Sequence, residues 1–211
     1  MPTPLPTGIY GITAEKFSNG RSNVAVALEM IRGGVSVLQY REKHADKSIR
    51  TIYEECRRLR EITRDHGVMF IVNDFIDIAM LVDADGVHVG QDDLPVAEVR
   101  KLVGDKVIGL STHSPVQARA ALADGADYIG VGPIYETHTK DNVCAPVGLE
   151  YLEWVVTHVP MPFVAIGGIK ETNIREVRRR GARTVCLVTD IVGAADISGK
   201  VKGLISAMSE D

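Results

Sequence analysis

Seven residues, VLQYREK at 37–43, place an apolar strand directly before three hydrogen-bond donors at every second position, Gln39, Arg41 and Lys43. Side chains at i, i+2 and i+4 of a strand share one face. An amide, a guanidinium and an ammonium would then converge, an arrangement suited to an anion with several oxygens. Taken alone, REKHADK reads more naturally as a solvated charged loop. The period-2 placement after a buried strand is what favours a site.

Two carboxylates offer a second chemistry. Asp74 follows Asn73 at the end of an apolar run, and Asp93 follows the next such run within GQDDLP. Facing carboxylates repel unless a cation lies between them. Oxygen ligands without a Cys or His cluster suit a hard ion, and Mg²⁺ completed by phosphate oxygens fits best. Helix capping is the equal alternative for both residues. Arg41, Lys43 and Lys140 could then surround a polyphosphate that shares the metal. A further anion site is suggested by AIGGI (165–169) and LVTD (187–190), where Gly168 would let a backbone N–H approach closely. His88, alternating within a strand, reads as a satisfied interior residue. His113 is the more plausible proton-transfer group, though without a nameable partner.

These residues need a scaffold that brings distant segments together. Eight short apolar runs supply one: 8–13, 34–40, 68–73, 86–90, 107–111, 127–132, 162–167 and 184–189. They are rich in Val and Ile and lack clean polar alternation, as strands covered on both faces do. Helical periodicity appears at 24–32, 49–63 and 115–125, and from Ile174 to Arg180, with Gly125 and Gly181 as C-terminal caps. Asp93-Leu-Pro-Val is expected to open another helix. Eight β/α units in 211 residues predict a TIM (β/α)8 barrel, one compact domain over 1–211, whose site lies at the C-terminal strand ends. A doubly wound sheet is disfavoured because GITAEKFSNG lacks GxGxxG.

The bulk properties restrict the partners. A formal net charge of -4 argues against general nucleic-acid binding, so cations must act locally. No apolar run is long enough to span a membrane, and MPTPLPTG has no signal-peptide pattern. Cys56, Cys144 and Cys186 have no CxxC spacing and read as reduced thiols of a cytoplasmic protein. A homo-oligomer is left open.

Together the segments YGIT (10–13), QYREK (39–43), ND (73–74), DGVHVGQDDLP (85–95), GLSTHS (109–114), ADYIGVGPIYETHTK (126–140), VGLEYL (147–152) and PFVAIGGI (162–169) resemble the thiamine phosphate synthase family. The resemblance implies a Mg²⁺-dependent transferase joining a pyrimidine diphosphate to a thiazole phosphate. It implies that Gln39, Tyr40, Arg41, Glu42, Lys43, Asn73, Ser111 and Lys140 line the diphosphate site, with Arg41, Lys43, Lys140 and Ser111 taking part in catalysis. Asp74 and Asp93 would hold Mg²⁺. Thr137, His138 and Thr139 would contact the thiazole phosphate, and Gly168, Val188 and Thr189 its phosphate. Asp190 departs from the small residue expected there, and a carboxylate would oppose a phosphate unless it points away. Two rivals stay open. A thiazole tautomerase-like isomerase would need no metal–diphosphate site, and a non-catalytic sensor would bind without turnover. The segment 135–146 is a candidate lid.

Overall fold

In the computed structural model, which describes residues 4–43, 47–139 and 144–209, the eight predicted strands are present. They are β1 (Gly8–Ile12), β2 (Val37–Tyr40), β3 (Met69–Asn73), β4 (Gly86–Val89), β5 (Val107–Thr112), β6 (Tyr128–Val131), β7 (Phe163–Ile166) and β8 (Thr184–Cys186). Every neighbouring pair is parallel, and β1 closes on β8 through Gly8–Thr184, Ile9–Val185 and Tyr10–Cys186. The sheet is a closed barrel. The helices α1 (Asn23–Gly33), α2 (Ile49–His66), α3 (Ile76–Leu81), α4 (Val96–Val103), α5 (Pro115–Ala123), α6 (Gly148–His158), α7 (Ile174–Arg179), α8 (Thr189–Val192) and α9 (Ile197–Ser209) connect the strands or follow the last one.

The lack of polar alternation has a direct cause. Alternate residues enter two separate apolar clusters. Tyr10, Ile12, Val37, Met69, Ile71, Val107, Tyr128, Val164 and Cys186 fill the barrel interior. Ile9, Leu38, Tyr40, Phe70, Val72, Val87 and Ile108 pack outward with the helices. Both faces bury apolar area, so both must be apolar.

Several element limits differ from the sequence reading. Strand β2 begins at Val37, because Gly34 (φ 100°) is the left-handed cap of α1. Strand β8 ends at Cys186, and Thr189 starts the short turn α8 instead of extending a strand. The β-branched residues in Leu-Val-Thr favour extension locally, but the barrel needs only three residues there. Helices α3, α6 and α9 were not marked by the sequence pattern. Helix α9 lies against α1 so closely that a Cβ on Gly33 would stand 2.6 Å from Val201 Cβ.

Outside the barrel a polar cluster ties β2 to the helices. Glu55 on α2 accepts from Tyr40 Oη at 2.7 Å, Lys47 Nζ at 2.6 Å and Asn23 Nδ2 at 3.1 Å. Lys47 also reaches Glu15 at 2.5 Å. Asn23 donates to Glu42 at 2.8 Å. Burial pushes the Glu55 carboxyl up, but bonds from Lys47, Tyr40 and Asn23 outweigh it and hold it below the usual carboxylate range.

A group with a depressed folded pKa stabilises above its unfolded value and loses that contribution as pH falls through the folded one. Glu55→Gln is therefore expected to cost about 1–3 kcal/mol near neutral pH, with the deficit shrinking as pH falls from about 5 to about 3. Thermal melts of both proteins across that range check this. A deficit independent of pH would contradict it.

Candidate active site

The mouth is formed where strands end. Parity along β2 turns Gln39 inward and Tyr40 outward. Just beyond the strand, Arg41 N donates to Thr13 Oγ1 at 3.0 Å, stitching the ends of β1 and β2 together. Arg41 is partly buried and Lys43 exposed, and both lie close enough to act electrostatically on Asp74. The same parity corrects two expected contacts. The Tyr40 hydroxyl goes to Glu55, and the Glu42 carboxylate accepts from Asn23 and from Glu15 N, so both side chains brace the loop from behind.

Asn73 is the last residue of β3 and is buried. After it, Asp74 adopts φ 63°, a left-handed conformation that non-glycine residues seldom take. The strained turn is held by Asp74 N donating to His88 O at 3.0 Å. Asp93 Oδ2 accepts from Gly90 N at 2.6 Å, which folds the loop after β4 back on itself. Neither carboxylate caps a helix. The N-cap of α3 is Phe75 and that of α4 is Pro95, neither with a side-chain bond, so Asp93 does not open a helix as the sequence suggested. The two carboxyls instead come within hydrogen-bonding reach of each other.

Burial raises Asp74 above its ordinary range, and the Asp93 charge adds to the effect. Lys43 and Arg41 oppose the shift but do not cancel it. The rise comes first from burial, which the two neighbouring cations do not offset. Among the described residues no group of three or more His, Cys, Asp and Glu could hold a metal. Two carboxylates, with other positions left to water or ligand oxygens, suit Mg²⁺ and would not satisfy a structural zinc ion.

Across the mouth, β1, β2, β4, β5 and β6 share a buried chain of polar contacts. Gln39 Nε2 donates to Tyr10 Oη at 2.8 Å, and Tyr10 Oη lies 2.9 Å from Tyr128 Oη. Tyr128 Oη is 2.9 Å from His88 Nδ1, and His88 Nε2 is 2.9 Å from Ser111 Oγ. His88 is thus the satisfied interior residue that its strand position predicted. Gly109 makes the chain fit: a Cβ there would stand 2.1 Å from Tyr128 Cζ and 2.5 Å from His88 Nδ1. His113, the candidate for proton transfer, has Nδ1 2.5 Å from Gly132 O and is fixed by that carbonyl.

The remaining edge is built from the loop after β6 and the ends of β7 and β8. Thr137 and Thr139 hydroxyls are 3.1 Å apart. His138 is exposed, with Nε2 3.8 Å from Glu136. Gly168 takes φ 64°, and a Cβ on it would stand 2.5 Å from Glu136 O. The close approach that requires glycine is therefore made by this neighbouring loop. Val188 precedes α8 and Thr189 opens it. Asp190 Oδ2 lies 3.4 Å from Lys200 Nζ, which also binds Glu171 at 2.8 Å. Among the described residues, Asp190 Oδ2 is a buried oxygen with this ion pair but without a hydrogen bond. Lys140 lies outside the described residues, as does part of the candidate lid.

Sequence reasoning missed Tyr10 and Tyr128 as members of the site. Their signal was the same parity that marked Gln39: both stand on inward positions of YGIT and DYIGVG.

A family model described as thiamine monophosphate synthase matches residues 9–191. A thiamine-phosphate synthase of Pelotomaculum thermopropionicum is 62% identical over 97% of this chain and 94% of that protein. One from Caldicellulosiruptor saccharolyticus is 52% identical over 96% and 91%. A solved thiamine phosphate pyrophosphorylase of Pyrococcus furiosus superposes with a TM-score of 0.88 at 33% identity, covering 96% of this chain and 95% of that one. A 3-hexulose-6-phosphate synthase, at 18% identity and a TM-score of 0.71, shares the fold.

Removing one of two repelling carboxylates should stabilise the protein in chelator. Asp93→Asn keeps an acceptor for Gly90 N and is expected to raise Tm by about 2 °C, equivalent to somewhat under 1 kcal/mol. An unchanged or lower Tm would mean that the pair carries no net repulsion.

Proposed function

Because the chain belongs to the thiamine monophosphate synthase family and is a transferase that forms thiamine phosphate, we propose that its mouth performs this reaction as a Mg²⁺-dependent dissociative substitution. The substrates are 4-amino-2-methyl-5-hydroxymethylpyrimidine diphosphate and a thiazole phosphate. The observation that carries this reading is that Arg41, Lys43 and Asp93 all lie near enough to act electrostatically on the Asp74 carboxyl. A diphosphate with a hard cation satisfies all four charges at once, which the tautomerase reading does not require.

Asp74 and Asp93 would hold the magnesium ion, which when bound supplies positive charge to the diphosphate oxygens. Gln39 and Ser111, at opposite ends of the buried polar chain, bind the aminopyrimidine side. Asn73 and Lys140 complete the diphosphate site. Arg41 and Lys43 neutralise charge as the bond from the pyrimidine methylene carbon to the diphosphate oxygen breaks and its electron pair leaves with the oxygen. The electron-rich ring delocalises the resulting cation. The thiazole nitrogen then donates its lone pair to that carbon, forming the C–N bond of thiamine phosphate with pyrophosphate released. Thr137, His138 and Thr139 contact the thiazole phosphate, and Gly168, Val188 and Thr189 hold its phosphate through backbone amides. No residue here is asked to form a covalent bond, so rate is gained by positioning and electrostatics.

We read residues 1–211 as one barrel domain. The free thiols Cys56, Cys144 and Cys186 support a reducing, cytoplasmic setting. Among the described residues no helix is long and apolar enough to cross a membrane.

Mixing the protein with both substrates should yield thiamine phosphate only when Mg²⁺ is present. Arg41→Ala and Lys43→Ala should each lower kcat by about 10²-fold or more while the fold persists by circular dichroism. If both variants turn over normally, the diphosphate assignment fails. If folded wild-type protein gives no product with metal, the whole reading fails.

A further inference from the structure

Two buried tyrosines sit where a barrel interior would ordinarily hold Val, Ile or Leu. Tyr10 and Tyr128 are almost wholly buried, and burial pushes both hydroxyls far above the usual phenol range. Each therefore keeps one hydrogen throughout the working pH range. A hydroxyl that accepts one bond at this position must pass its own hydrogen onward, or leave a buried donor unsatisfied at a cost of about 1–3 kcal/mol.

That requirement gives the chain a direction. Gln39 Nε2 has only hydrogens to offer, and it donates to Tyr10 Oη. Tyr10 then donates to Tyr128, 2.9 Å away, and Tyr128 donates to His88 Nδ1, also 2.9 Å away. An Nδ1 that accepts is bare, so the neutral ring carries its hydrogen on Nε2. Nε2 donates to Ser111 Oγ at 2.9 Å. The Ser111 hydrogen is left to point elsewhere, and Gln39 Oε1 is left as an acceptor.

We propose that Tyr10 and Tyr128 are positioning residues that relay the orientation of the Gln39 amide through His88 to Ser111, so that the Ser111 hydrogen stays free for a ligand. Reversing the Gln39 amide would reverse every bond and commit the Ser111 hydrogen to His88 Nε2. A ligand matched to this pattern offers Gln39 a hydrogen and Ser111 a lone pair. An amino-substituted nitrogen heterocycle carrying an anionic group meets both requirements. The ligand assignment rests on the synthase reading; the relay itself does not.

Gln39→Glu supplies the test, read at a pH high enough to ionise the introduced carboxyl, because a carboxylate can only accept. Tyr10 must then donate to the introduced carboxylate, Tyr128 to Tyr10, and His88 must place its hydrogen on Nδ1. Imidazole ¹⁵N shifts of His88 in the ligand-free full chain distinguish the two ring forms. The wild type is expected to carry the hydrogen on Nε2 and Gln39→Glu on Nδ1. Adding Tyr128→Phe should abolish the response, so that His88 looks alike in Tyr128→Phe with and without Gln39→Glu. Tyr128→Phe alone should lower kcat/KM for the pyrimidine diphosphate about tenfold, with KM for the thiazole phosphate changed less than about twofold. Loss of Tyr128 as mere packing would leave the His88 response intact. A wild-type hydrogen on Nδ1, or a response that survives Tyr128→Phe, overturns the relay. These shifts need no turnover, so an inactive wild type with the expected shifts would defeat the synthase reading alone.

Discussion

The pairing of β1 with β8 is the constraint on which the rest depends. Once the sheet closes, all eight strands run parallel and all eight ends meet at one mouth. Closure also fixes parity. A residue on a barrel strand faces either the enclosed interior or the helices. Gln39 and Tyr40 are neighbours in sequence, yet one joins the interior polar chain and the other the helical layer. A solvent-facing sheet would impose no such division of labour.

Electrostatics at the mouth follows from where charge is left unbalanced. The chain is acidic as a whole, but the periphery is largely paired: Arg60 with Asp85, Arg100 with Asp127, and Lys200 with Asp190 and Glu171. Such pairs contribute little individually to stability. Asp85 and Asp127 directly precede β4 and β6, so their pairs lie at the strand starts, away from the mouth. Asp74 differs: burial and the neighbouring Asp93 charge raise its carboxyl, and the nearby cations do not cancel the shift. The backbone strain at Asp74 belongs to the same picture, since strained residues persist where surrounding bonds over-determine them.

How much was legible in the sequence depends on the distance over which the information is stored. The eight strands were visible because each carries its own apolar run, and the polar ends because they directly follow. Boundaries set by neighbours were not. Leu187 to Thr189 favour extension locally, and only the barrel stops the strand at Cys186. Asp93 looked like a helix cap because Asp before Leu-Pro-Val has that local signature, whereas its partner is a backbone amide three residues earlier. Tyr40 and Glu42 adjoin Gln39 and Arg41, yet their side chains bond to Glu55 and to Asn23, partners that no local pattern announces. The chain from Tyr10 through Tyr128 to His88 joins residues 40 to 118 positions apart. No local window contains it.

Gly109 carries a lesson for anyone scanning this chain by substitution. Its side is occupied by the Tyr128 ring and the His88 imidazole, both nearer than any Cβ could tolerate. Alanine there adds a single methyl group, yet it would force apart the two rings that separate Gln39 from Ser111. Loss of activity at this position would mimic loss of a reacting group, although glycine has no chemistry to contribute. Intolerance to mutation at this mouth therefore maps the room that the machinery needs as well as the machinery itself. The two kinds of position separate only when each inactive variant is weighed by what it displaces.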